Sequence, residues 1–405
     1  MYNFENLGEH LLRPCLFEID LDALRHNIDE IQKYVGESVK VFAVLKCNAY
    51  GFGLKETAQI VEETCAYAIA VADLAEAIYL RQAGISKPIL VYSNNLPSAA
   101  PFYIDYNLIP TIDSLDYARA YSEASSDSLK VFVKVDTGRY RNGVLLNNVV
   151  SFCQKLSRFE NLTIEGIYTH LDRLDIETDE AYVRWQFSKY TETIQALEEN
   201  GIHIPIKIAA SSAEVLQFPD MCLNAIDVGK IIYGIYFPRS AKNKMDLQPV
   251  FKSLKTRLIA NKKVPLDHPF ASNINFKLKD HMAIGVIPMG WGDGLPRTPL
   301  NEMEVLVNGK RVKVIGSIYV EHSRIDLTEL PNAQVGDEVV IVGTQRGQDI
   351  SFEEVADRCS MGGSELARTV REQIPRLYYK CGKPYKLKTI LREKLYNLNV
   401  ARKSA

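Results

Sequence analysis

The sequence lacks any strong excess of charge. Its 48 basic and 50 acidic side chains leave a net charge of -2, so no positive field favours nucleic acid or an acidic membrane surface. No run approaches the roughly 18 consecutive apolar residues that cross a bilayer. The opening MYNFENLGEHLLRP also lacks the basic stretch followed by an apolar one that marks a secretory leader. A cytoplasmic protein, with neither nucleic acid nor membrane as partner, is the expectation. The seven cysteines (Cys15, Cys47, Cys65, Cys153, Cys222, Cys359 and Cys381) are odd in number and contain no CxxC pair. That pattern fits reduced thiols better than a disulfide frame or a zinc site. Internal repeats and low-complexity linkers are missing as well.

What is present is an alternation of apolar strand-like runs with amphipathic helical ones. VKVFAVLK (39–46), AYAIAVA (66–72), PILVYS (88–93), NLIPTI (107–112), LKVFVKVD (129–136), LTIEGIYTH (162–170), IPIKIAA (204–210) and LNAIDV (223–228) are the strand-like segments. Helical patterns between them argue for parallel βα units, and eight such strands suggest a closed (β/α)8 barrel of the TIM type over 12–248. After residue 248 short alternating runs such as HMAIGVIPMG, EVLVNGKRVKVIGS and DEVVIVG replace the helices. They predict a mainly antiparallel β domain over 249–380. The remaining 381–405, rich in lysine and arginine, is expected to be a solvated basic tail.

Within the first domain, AVLKCNAYGFG (43–53) runs a buried strand into a lysine and then a small-residue turn. Lys46 thereby falls at the carboxyl end of a barrel strand, the face where barrel enzymes place their chemistry. By themselves these residues allow either a solvent-facing cation or a reactive amine. The whole stretch resembles the pyridoxal-phosphate lysine segment of alanine racemases, VKANAYGHG. The likeness continues in order through EIDLDALRHN, AVADLAEAIYLRQAGISKPILV, VKVDTGRYRNGV, GIYTHL, AASSA, VIPMGWGDGLPR, VIGSIYVEHSRIDLT, VGDEVVIVG and IPRLYY.

The resemblance implies a pyridoxal 5'-phosphate enzyme acting at the α-carbon of an amino acid. Lys46 would form the Schiff base and act as a base, with a lowered pKa because only the neutral amine attacks a carbonyl. Tyr50 would bond the phosphate and His170 would pack on the pyridine ring. Arg141 would lie near the cofactor's phenolic oxygen, oriented by Lys134, a lysine that is carbamylated in some members. Ser212, Gly229 and Lys230 match the phosphate-anchoring segments, and exposed backbone N–H groups there suit an oxyanion. A homodimer whose active site is completed by the partner subunit is also implied.

Departures from the family pattern bear on the reaction. Asp227 stands where alanine racemases place an arginine opposite the pyridine nitrogen. An aspartate there would hold a pyridinium and make the ring a stronger electron sink. Leu266 stands where the partner's catalytic tyrosine is expected. Leucine cannot exchange a proton, which leaves His268, Asp267 or Tyr319 to supply the second acid/base. Ser364 replaces a phosphate-contacting tyrosine, and Trp291 replaces a tyrosine of the entry. Three readings follow, of which a non-catalytic cofactor carrier is disfavoured by the second β domain. One is an amino-acid racemase or epimerase, on alanine or another substrate. The alternative is a decarboxylase or aldolase-type lyase using quinonoid chemistry stabilised by Asp227.

Overall fold

The computed structural model describes residues 13–92, 95–173, 179–236, 239–265, 282–297, 302–362, 364–389 and 393–395. Two compact units are formed by residues discontinuous in sequence. Leu24–Ala49 with Gly53–Gln248 make one, and the residues up to Ala23, Tyr50–Phe52 and those from Pro249 onward make the other.

The first strand, β1 (Cys15–Asp20), belongs to the second unit. The barrel unit is built from β2 (Lys40–Val44), β3 (Ala68–Val71), β4 (Ile89–Val91), β5 (Ile109–Ile112), β6 (Leu129–Asp136), the short β7 (Val144–Leu145), β8 (Leu162–Tyr168), β9 (Ile206–Ser211) and β10 (Ala225–Val228). The sheet runs β5-β4-β3-β2-β10-β9-β8-β6, and β5 also pairs with β6, so eight strands close on themselves. β7 is a side bridge on β6. Every pairing is parallel. Both faces are covered, so the strands read as continuous apolar runs with no alternation: AIAV and ILV are buried throughout. Space inside is filled closely. A methyl group on Gly166 of β8 would stand 2.2 Å from the Phe132 ring of β6, and that ring meets Phe42 of β2 edge-on at 5.8 Å.

The second unit contains β11 (Phe251–Arg257), β12 (Ala260–Lys263), β13 (Ala283–Ile287), β14 (Glu304–Val307), β15 (Lys310–Ile315), β16 (Ser323–Asp326), β17 (Glu338–Gln345), β18 (Gln348–Ile350), β19 (Arg376–Lys380), β20 (Lys383–Lys388) and β21 (Glu393–Leu395). With β1 they form one sheet, antiparallel except where β1 runs beside β19. Its core holds an aromatic chain: Phe17 lies 6.0 Å from Phe52 and 4.6 Å from Phe251, and Phe251 lies 4.9 Å from Phe352. Residues 383–388, assigned to the basic tail by composition, form a strand whose period-two pattern, KPYKLK, pairs with β19. Among the described residues no helix is long and apolar enough to cross a membrane.

Candidate active site

Lys46 follows the end of β2 and opens an unusual turn. Cys47, Asn48, Ala49 and Tyr50 all adopt left-handed φ between 53° and 58°. For residues with a Cβ this costs on the order of 1–2 kcal/mol each, and such strain persists only where surroundings over-determine it. Several contacts hold the turn, Gly53 N to Asn48 O at 3.1 Å among them. Ala49 N donates to Leu45 O at 2.8 Å. Asn48 N donates to Glu76 Oε1 at 2.7 Å, and Asn48 Oδ1 accepts from Leu54 N at 2.7 Å, capping the following helix. The strain is thus spent on fixing where the Lys46 side chain leaves the strand.

The other barrel candidates also sit at carboxyl ends of strands. Lys134 is buried near the end of β6, in register with Tyr168 of β8, and its Nζ lies 5.6 Å from that ring. The ammonium donates to Asn142 Oδ1 at 2.6 Å. Burial first, then the charge of Arg141, pushes Lys134 down to about 8, against the opposing pull of Asp227, Asp113 and Asp136. Arg141 is carried on a loop pinned at both ends. Asp136 Oδ1 accepts from the amides of Gly138, Arg139 and Tyr140 at 2.9 to 3.1 Å, and Asp113 Oδ2 accepts from Gly143 N at 3.0 Å. His170, after β8, is pushed down to about 3 by burial and by the positive charges of Arg139, Lys46, Arg141 and Lys134. It is therefore a neutral ring near neutral pH.

Asp227 lies on β10, paired with Phe42 and Ser211. Its carboxylate is buried and accepts from Tyr92 OH at 2.8 Å. Burial raises it to about 7, partly offset by the Tyr92 hydrogen bond and by Lys46 and Lys134, while Glu214 adds to the rise. Lys46 and Lys134 thus act on both His170 and Asp227, and Arg139 and Arg141 act on His170, which gathers these groups at one end of the barrel.

Beside them, two backbone amides converge on one oxygen. Gly229 N and Ile231 N donate to Ser212 Oγ at 3.0 and 3.5 Å. Lys230 lies between the two converging amides and is half-buried. Ser211 forms a capping box with Glu214, which Arg173 holds by an ion pair of 2.7 Å. Because Ser212 Oγ accepts from both amides, its own O–H is left to donate to an oxyanion.

Of the remaining candidates, Tyr50 and Ser364 are buried and belong to the second unit. Arg368 links them there, its guanidinium 5.6 Å from the Tyr50 ring and its Nη2 3.5 Å from Ser364 Oγ. Tyr319 is exposed with Arg324 over its ring at 5.3 Å, and Trp291 is exposed with Arg297 at 4.6 Å. Leu266, Asp267 and His268 lie outside the described residues. Sequence reasoning missed Tyr92, Glu76 and Asn142. For Tyr92 a signal existed: a polar tip ending the apolar run PILVY.

A closed parallel barrel that gathers a lysine, a neutral histidine and a buried aspartate from different strand ends, continued by an antiparallel β unit, defines an enzyme of amine and carbon-acid chemistry. The chain belongs to the alanine racemase family: the alanine racemase N-terminal domain matches residues 19–237 and the C-terminal domain residues 251–378. It is 37% identical to an alanine racemase of Methanococcus maripaludis, covering 90% of this chain and 98% of that one. Identity to the alanine racemase of Halothermothrix orenii is 33%, over 92% and 98% of the two chains. Among solved structures, alanine racemase of Clostridium difficile 630 superimposes with a TM-score of 0.87 at 29% identity, over 94% of this chain and all of that one. That of Bacillus anthracis with bound L-Ala-P gives 0.86 at 29% identity, over 94% and 99%.

Proposed function

We propose that this chain is a pyridoxal-phosphate-dependent racemase of a small amino acid, with alanine the first substrate to test. The observation that supports this most is the convergence of Lys46, Lys134, Arg141, His170 and Asp227 at one barrel end, in a chain alike along nine-tenths of its length to alanine racemases. The donor set fits the cofactor: the Ser212 hydroxyl, positioned by the Gly229 and Ile231 amides beside Lys230, suits the phosphate, and Asp227 suits the ring nitrogen. Tyr50 keeps the phosphate role that the resemblance gives it, and Ser364 is a further cofactor-binding candidate at a position where the family has a tyrosine. When bound, pyridoxal phosphate supplies an electron sink that acidifies the α-proton of an amino acid.

The rest falls to side chains of the protein. Lys46 would hold the cofactor through its amine and, once the substrate's amine has displaced it there, the freed amine would exchange the proton at the α-carbon on one face. Arg141 and Lys134 would supply positive charge at the phenolic oxygen. His170, neutral, offers a ring for packing and adds no charge. Return of a proton on the opposite face needs a second group, for which Tyr319 and His268 are the candidates. The enzyme works as a cytoplasmic homodimer, each subunit completing the other's site.

Asp227 is the one observation that favours decarboxylation or aldol-type cleavage instead. The relatives at 33–37% identity are alanine racemases, so racemisation is preferred. The test is spectroscopic. Purified protein loaded with pyridoxal phosphate is expected to show a visible band that Lys46→Ala loses with its fold intact. An unchanged band in Lys46→Ala would overturn the assignment of the lysine.

A further inference from the structure

None of the roles proposed above uses Tyr92. It follows Val91, the last residue of β4, and its hydroxyl reaches across to β10, 135 residues further along the chain, to donate to Asp227 Oδ2 at 2.8 Å. Asp227 is 8% exposed, yet Oδ1 has no hydrogen-bond partner among the described residues. A buried carboxylate ordinarily collects several donors. Here one of its two oxygens is left for something else. The Tyr92 ring is held in place by Tyr168, 5.4 Å away. The Tyr168 hydroxyl lies 3.0 Å from Thr111 Oγ1, which also donates to Val91 O at 2.8 Å.

We propose that Tyr92 is a positioning residue for the ring nitrogen of bound pyridoxal phosphate: its hydroxyl fixes Asp227 through Oδ2 and leaves Oδ1 to accept from the protonated nitrogen. The inference rests on the cofactor reading above. Two physical reasons support it. A carboxylate free to turn presents either oxygen, and a donor on Oδ2 selects one. The donor is also neutral, so it orients the carboxylate without cancelling its charge, as an arginine in its place would. The charged groups that act on Asp227 are Lys46 and Lys134, which favour its ionised form, and Glu214, which opposes it.

The test titrates apoprotein by equilibrium dialysis with pyridoxal phosphate and with its 1-deaza analogue, in which CH replaces the ring nitrogen. It is run at pH 8, above the value of about 7 to which burial raises Asp227. The wild type is expected to prefer pyridoxal phosphate by roughly 10- to 100-fold, the range of a hydrogen bond to a charged group. Tyr92→Phe, which keeps the packed ring, is expected to cut that preference about tenfold while leaving the affinity for the analogue unchanged. If Tyr92→Phe weakens both ligands equally, or neither, the positioning role is overturned. Loss of the preference in Asp227→Asn but not in Tyr92→Phe removes the role of Tyr92 alone and leaves that of Asp227. A wild type without preference removes both roles, and failure of both ligands to bind overturns the cofactor reading itself.

Discussion

Asp227 and His170 are displaced by burial in directions that act oppositely on stability. Asp227 is raised from 3.8 to about 7, so the native state keeps a proton that the unfolded chain has released. Its contribution is fully present below about pH 4 and is lost as pH rises through about 7. His170 is lowered from 6.5 to about 3, so the native state refuses a proton that the unfolded chain takes up. That contribution is present above about pH 6.5 and is lost as pH falls toward 3. Thermal melts of the apoprotein across pH 4 to 7 should therefore separate the two. Asp227→Asn removes a falling contribution and should make stability rise more steeply with pH, whereas His170→Gln should flatten the rise. Unchanged slopes would contradict the burial of both groups. The two residues differ from Tyr92 in how far the sequence revealed them. Asp227 stands at a fixed offset from Tyr233 and Gly234, and His170 closes a strand run. Tyr92 shows in the sequence only as the polar tip of an apolar run; its role comes from a partner on another strand, and a strand buried on both faces gives no alternation to say which way a side chain points.

At the scale of elements, the turn after Lys46 is the most unusual local structure. AVLKCNAYGFG reads as a strand, a lysine and a turn, but no glycine occupies 47–50, so a run of four left-handed residues was not legible. It is imposed by Glu76 and Asn48, groups that local sequence does not join. Asn48→Ala removes the acceptor for Leu54 N and a side chain that tolerates left-handed backbone. The expected cost is about 1 kcal/mol with weakened cofactor retention, checked by urea unfolding and by dialysis of the loaded protein. Full stability and retention in Asn48→Ala would show that the turn holds without this cap. The barrel makes a second prediction. Gly166→Ala pushes a methyl group into Phe132 and should lose roughly 1–3 kcal/mol, the usual result of overpacking, whereas Phe132→Leu in the same background should recover part of it. The eight barrel strands were legible because each is a separate apolar run. The placement of β1 was not, because CLFEID suits either sheet and its partners, β11 and β19, lie more than 230 residues away.

At the scale of the whole molecule, both family domains are present in order along one chain. The change from helix-spaced to closely spaced strands is readable because parallel strands must be spaced by helices and antiparallel ones need not be. The proposed dimer predicts that light scattering returns about twice the chain mass of 45.7 kDa, and a monomer that remains fully active would contradict the shared site. The identity of the second proton donor is what decides the reaction, and the most direct test follows deuterium. The holoenzyme is incubated in D₂O with L-alanine, and separately with D-alanine, and the α-position and enantiomer ratio are followed by NMR and chiral chromatography. The account predicts α-deuteration from either side, convergence to both enantiomers, and no loss of carbon. Carbon dioxide or an aldehyde as product, or α-deuteration confined to one enantiomer, would contradict it.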